Sequence, residues 1–139
     1  MLETFRAALI LVVEAVHEIS DSIERLLKTN GYRVTLARDV PDAIESARLR
    51  RPDLILMSWT GSSGEVLATV HRLREQAAVA HQIPVVFWVE DIDQGEEIAL
   101  EGNVYLTRPD SFNQLRSLLA RLLDGERMRV HLGDELVTE

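Results

Sequence analysis

The sequence predicts a three-layer, doubly wound α/β fold built on a five-stranded parallel sheet in the order 2-1-3-4-5. Two observations lead there. Short apolar runs rich in Val, Ile and Leu alternate along the chain with segments of helical periodicity. The runs show no apolar/polar alternation, as expected of strands covered on both faces. A length of 139 residues suits a single domain that buries a core without staples.

The elements follow in order. The runs Ala8–Val13, Tyr32–Ala37, Asp53–Met57, Ile83–Val89 and Val104–Thr107 are the candidate strands. Ile19, Ile23, Leu26 and Leu27 form the first helical stripe, closed by Asn30-Gly31, which is a helix stop. Ala43, Ile44 and Ala47 form the second. Asp39 is placed to cap its start, and Pro41 falls in the first turn, where a missing N–H costs little. Val66, Leu67, Val70 and Leu73 form the third. Glu90–Leu100 is the weakest helix candidate, being acidic, broken by Gly95 and poor in apolar anchors. Phe112, Leu115, Leu118, Leu119, Leu122 and Leu123 form the last and clearest stripe. Residues 1–124 therefore read as the domain. Residues 125–139 read as a tail, for which a small hairpin around Gly133-Asp134, a docking arm and a disordered end all stay open.

Composition excludes several function classes. The net charge of −8 disfavours nucleic-acid and anionic-membrane binding, because phosphate contacts need clustered cations. Arg48, Arg50 and Arg51 are close in sequence but read as the solvated end of a helix. Cysteine is absent, which removes disulfide and thiolate chemistry and suits the cytoplasm. No apolar run is long enough to span a bilayer, and none is followed by a signal-peptide cleavage site. His17, His71, His81 and His131 lack a ligand pattern. Glu90, Asp91, Asp93, Glu96 and Glu97 lack the spacing of a calcium loop and read as a solvated acidic face.

Ligands of such sheets sit at the carboxyl ends of the strands, here Glu14, Ala15, Ser58, Val89 and Arg108. Five segments are similar to response-regulator receiver domains of two-component signalling: Ile10-Leu-Val-Val-Glu14, Asn30-Gly-Tyr-Arg-Val34, Arg51-Pro-Asp-Leu-Ile-Leu-Met57, Ile83-Pro-Val-Val86 and Tyr105-Leu-Thr-Arg-Pro109. The resemblance covers residues 8 to 124. It implies a site with five parts: an acidic pair and an acceptor aspartate that hold Mg²⁺, then a hydroxyl residue and a lysine that grip the phosphoryl oxygens.

The sequence departs from that pattern at nearly every part. Glu14 keeps one acid and Ala15 replaces the other. Ser58 stands in place of the acceptor aspartate, and a hydroxyl cannot form an acyl phosphate. Its plain reading is a small polar residue that hydrogen-bonds locally. Val89 replaces the hydroxyl residue, and Arg108 replaces the lysine with a planar fork. Asp53 begins its strand at the opposite end of the sheet and cannot substitute. One carboxylate is too few for Mg²⁺, so neither a metal nor another cofactor is expected. Glu14 and Arg108 are expected to pair across the emptied site. Gly61-Ser-Ser-Gly64 reads as a flexible turn, shorter than the family's loop.

The resemblance also makes Tyr105 the aromatic switch residue, held in one rotamer because Val89 lacks the hydroxyl. It makes the Arg108–Pro109 bond cis. The functional expectation is a degenerate receiver, not an enzyme, that binds another signalling protein or itself independently of aspartyl phosphorylation. The implied surface is the fourth helix, fifth strand and fifth helix, remodelled because the segment between Val89 and Arg108 is short. Two alternatives remain: a receiver that answers phosphodonors through non-standard residues, and a small flavodoxin-like ligand binder.

Overall fold

The computed structural model describes residues 7–124. The strands are β1 (Leu9–Val13), β2 (Arg33–Ala37), β3 (Leu54–Ser58), β4 (Val85–Trp88), β5 (Glu97–Leu100) and β6 (Val104–Thr107). The helices are α1 (His17–Thr29), α2 (Val40–Leu49), α3 (Val66–Gln76) and α4 over residues 112–124. The expectation for residues 125–139 lies outside the described residues.

The sheet order is β2-β1-β3-β4-β6-β5. With β6 as the fifth of the predicted strands, its first five positions are the predicted parallel array, joined in parallel from β2 to β6. Both faces are covered, which is why β1 is buried at every residue and β3 at every residue but its last. Pleat alternation divides the core. Leu11, Val13, Ile55, Met57, Val85 and Phe87 pack with α2 and α3 on one face. Ile10, Val12, Leu54, Leu56 and Val86 pack with α1 and α4 on the other. Asp39 caps α2 by accepting from Asp42 N–H at 2.9 Å. Gly31, at φ +90°, turns the chain from α1 into β2. Asp53 accepts the N–H of Leu9 at 2.7 Å, at the end of the sheet opposite the candidate site.

The fourth predicted helix does not form. The second half of Glu90–Leu100 is β5, an antiparallel sixth strand paired with β6. Glu97-Ile-Ala-Leu-Glu101 alternates with period two, so Ile98 and Leu100 reach the core together from one face of a strand. Gly95 at φ +86° makes a bulge: its N–H and the carbonyl of Glu96 both pair with Arg108. Gly102 and Asn103, at φ +79° and +65°, reverse the chain into β6. The surface implied by the resemblance thus loses its helix. A sheet edge beside β6 and α4 takes its place.

One side chain ties this hairpin down. Arg74, near the end of α3, donates to Ala80 O at 2.6 Å and Gly102 O at 2.7 Å, with longer contacts to Val79 O and Ile83 O. Burial holds its pKa below the usual guanidinium value.

Candidate functional site

The carboxyl ends of β1, β3, β4 and β6 bring Glu14, Ser58, Val89 and Arg108 to one rim of the sheet, because the four strands are parallel and in register. Glu14 follows β1 directly. Its N–H donates to Ala37 O at 2.9 Å, and it is 8% exposed. A carboxylate this buried needs hydrogen-bond donors. It has two: the Ser58 hydroxyl donates to Oε1, and Val16 N–H donates to Oε2 at 2.8 Å. The second bond does the work of a cap, since Val16, at the start of α1, has no side chain able to do so. Ala15 is exposed in the loop between them.

The opposite wall is apolar and tied back. Val89 is fully buried within the core, and its N–H donates to Thr107 O at 3.0 Å. The Thr107 hydroxyl is fully buried without a hydrogen-bond partner, and nothing in the structure explains it. Arg108 does not pair with Glu14. Its Nη1 donates to Ile92 O at 3.0 Å, in the loop before β5. The fold-back that makes β5 brings that carbonyl within reach, while both Glu14 oxygens are already engaged. The expected ion pair is therefore corrected to two separate local bonds.

The Arg108–Pro109 bond is also corrected. No peptide bond among the described residues is cis. Arg108 extends the β5–β6 ladder by one residue, donating to Glu96 O at 3.1 Å and accepting from Gly95 N–H. That holds it in the extended region favoured before proline, and trans is the lower-energy isomer there. Tyr105 is half-buried on the α1–α4 side, and its hydroxyl donates to Asn103 Oδ1 at 2.7 Å.

Two residues that sequence reasoning passed over complete the rim. Trp59 follows Ser58, stacks edge-on against Phe87 with ring centroids 5.4 Å apart, and donates from Nε1 to Ser62 O at 2.8 Å. It makes the Gly61–Gly64 segment an ordered bend leading into a short 3-10 turn, Ser63–Glu65. Asp91 accepts the N–H of Ser63 at 3.0 Å and so joins the loop after β4 to the loop after β3. The Ser63 backbone bond holds the Asp91 carboxyl below its usual pKa. A tryptophan beside the acceptor position was a visible signal. The Asp91 contact had none, since it depends on the path of a loop expected to be helical.

The residues do not fit Mg²⁺. The rim offers one carboxylate, both of whose oxygens already accept hydrogen bonds, and a hydroxyl that donates rather than coordinates. Among the described residues no group of three or more His, Asp or Glu side chains is placed to hold a metal. No step through a metal is derived.

No family model matches the chain. It is similar to the probable transcriptional regulatory protein TcrX of Mycobacterium tuberculosis, 29% identical over an alignment of 121 residues that covers 81% of this chain and 50% of that protein. It is also similar to the alkaline phosphatase synthesis transcriptional regulatory protein PhoP of Bacillus subtilis, 25% identical over 114 residues, 82% of this chain and 48% of that protein. The chain spans about half the length of the curated relatives it matches. Among solved structures, NtrX from Brucella abortus superposes with a TM-score of 0.68 at 24% identity, over 92% of this chain and 29% of that one. The receiver domain of a signal transduction histidine kinase from Syntrophus aciditrophicus gives 0.64 at 23% identity, over 86% and 92%. Chemotaxis protein CheY4 of Vibrio cholerae gives 0.61 at 20% identity, over 84% and 98%. At these identities the structures establish the shared flavodoxin-like, CheY-like fold.

Proposed function

Because the chain is a response-regulator receiver domain of two-component signalling, we propose that it is a degenerate receiver, a docking module whose state does not depend on an aspartyl phosphate. The observation that carries this reading is the bond from the Ser58 hydroxyl to the Glu14 carboxylate. In a working receiver those two positions hold carboxylates that share a cation. Here a donor faces an acceptor, and each satisfies the other without one. Val89 and Arg108 support the same reading: one is buried in the core, and the other is committed to the Ile92 carbonyl. The site is closed by hydrogen bonds and packing instead of waiting for a metal and a phosphoryl group.

The partner class that follows is another signalling protein, bound without catalysis by this domain. The matched relatives are named as transcriptional regulators and are about twice as long as the matched region, so any DNA contact is assigned to parts outside this domain. A cytoplasmic location is part of the proposal. No helix among the described residues is long and apolar enough to cross a membrane.

Amide spectra recorded during a Mg²⁺ titration test the closed site. The amides of Glu14, Ala15, Ser58 and Val89 should stay in place up to millimolar Mg²⁺, apart from the small uniform drift that ionic strength produces. A saturable shift centred on Glu14 and Ser58 would show a working cation site and overturn the reading.

A further inference from the structure

We propose that the outer edge of β5, which no described residue pairs, is a docking strand for an extended, basic segment of a partner protein. β5 is the outermost strand of the sheet. Its backbone direction follows from the hydrogen bonds on both sides of β6. Asn103 and Thr107 give their carbonyls to β4, at Val85 and Val89, while Arg108 pairs with Gly95 and Glu96. The even-numbered residues of β6 therefore face β5, and their partners in register are Ile98 and Leu100. Glu97 and Ala99 must then turn both N–H and C=O outward, where no described residue takes them. Unpaired strand groups of this kind are a template for an added strand.

The edge is open to such a strand. Ala99 is exposed and presents only a methyl group. Ile98 and Leu100 are half-buried against the α3 face of the core, leaving an apolar ledge beside the edge. Neither Lys nor Pro, the residues that commonly protect an edge, lies within β5. Both ends are acidic: Asp93 and Glu96 are exposed at one end and Glu101 at the other. The nearby cations are already engaged, Arg121 by Glu97 at 2.7 Å, Arg108 by Ile92 O, and Arg74 by Ala80 O and Gly102 O.

Charge decides the occupant. A second copy paired antiparallel about Ala99 would set Glu97 opposite Glu101, twice, and like charges directly opposite destabilise a strand pair. The net charge of −8 adds to the repulsion. A segment with Lys or Arg at two positions four residues apart and a small residue midway sets one cation opposite exposed Glu101, the other opposite Glu97, whose carboxylate it would share with Arg121, and the small residue against Ala99. β-branched residues between them cover Ile98 and Leu100.

The inference deepens the docking-module reading and rests on it for the class of partner. The test uses the whole chain and a capped peptide with the core Lys-Val-Ala-Val-Lys, followed by amide spectra at low salt. Saturable shifts confined to β5 and its flanks are expected, and weakening as salt rises. Ala99→Pro removes an outward N–H without touching the β6 ladder, a place where proline is tolerated. It should weaken binding about tenfold or more. Glu101→Lys, in an exposed turn, should do likewise and keeps the test meaningful if the proline variant unfolds. Wild-type affinity in either folded variant, shifts centred away from β5, or no binding by the wild-type chain would overturn the proposal. So would a wild-type dimer that Ala99→Pro converts to monomer, since the edge would then belong to a second copy. Phosphodonor chemistry reads Ser58 and not β5, so each reading can fail without the other.

Discussion

Arg74→Ala should lower the unfolding free energy by about 3 kcal/mol, a loss of two hydrogen bonds from a charged donor at roughly 1.5 kcal/mol or more each. For a domain of this size that corresponds to roughly a 10 °C fall in melting temperature. The effect is large because one guanidinium joins the end of α3 and the loop that follows it to the turn between β5 and β6, which is distant in sequence. It lies at the lower end of the range because Arg74 is only partly buried, and water can reach the freed carbonyls. Arg74→Lys should recover less than half of the loss. An ammonium is a compact point charge and cannot span Ala80 and Gly102 as the fork does. Chemical denaturation of the three proteins checks this. Hydrogen exchange should place the early opening at β5, whose amides should lose protection before those of β1 and β3. Equal protection across the sheet in Arg74→Ala would show that the hairpin is held by other contacts.

Ser58→Asp should destabilise the domain by roughly 2–4 kcal/mol at neutral pH. The substitution restores the acceptor type of a working receiver, yet it converts a donor into a second acceptor against Glu14, which is 8% exposed. Two carboxylates at that distance repel, and neither Ala15 nor Arg108 is placed to offset the charge. Ser58→Ala separates the two effects. It removes the hydrogen bond without adding charge and should cost about 1.5–3 kcal/mol. Urea unfolding of both variants gives the comparison. If Ser58→Asp is as stable as the parent at neutral pH, the rim is more open and better hydrated than the structure implies.

Much of the fold was legible because it rests on local patterns. The continuous apolar runs around Leu11, Ile55 and Val86 are those of strands buried on both faces, and their order fixed the parallel array. Asp39 and Gly31 began and ended helices where their chemistry requires. The stretch from Glu90 to Leu100 reads as a weak helix because it fills a helix's place in the alternation of elements, and its period-two pair is too short to outweigh that place. Ile98 and Leu100 are two residues apart, and Gly95 breaks any helix that would include them.

The site divides along the same line. Which residues occupy the strand ends followed from the alignment of the motifs, and Glu14, Ser58, Val89 and Arg108 do share one rim. What they touch did not follow. The pairing of Glu14 with Arg108 assumed two free charges facing an empty space. Instead Ser58 and Val16 satisfy the carboxylate locally, and the loop into β5 supplies a carbonyl to the guanidinium. Asp91 and Trp59, which order the loops around the rim, act through contacts that depend on the tertiary path.

The proposed degenerate receiver does not use aspartyl phosphorylation. Intact mass measured after incubation with acetyl phosphate and Mg²⁺ tests it most directly. The mass of the wild-type chain should stay unchanged under conditions that phosphorylate a working receiver run alongside. A gain of one phosphoryl group that base or hydroxylamine removes, as an acyl phosphate requires, would overturn the reading.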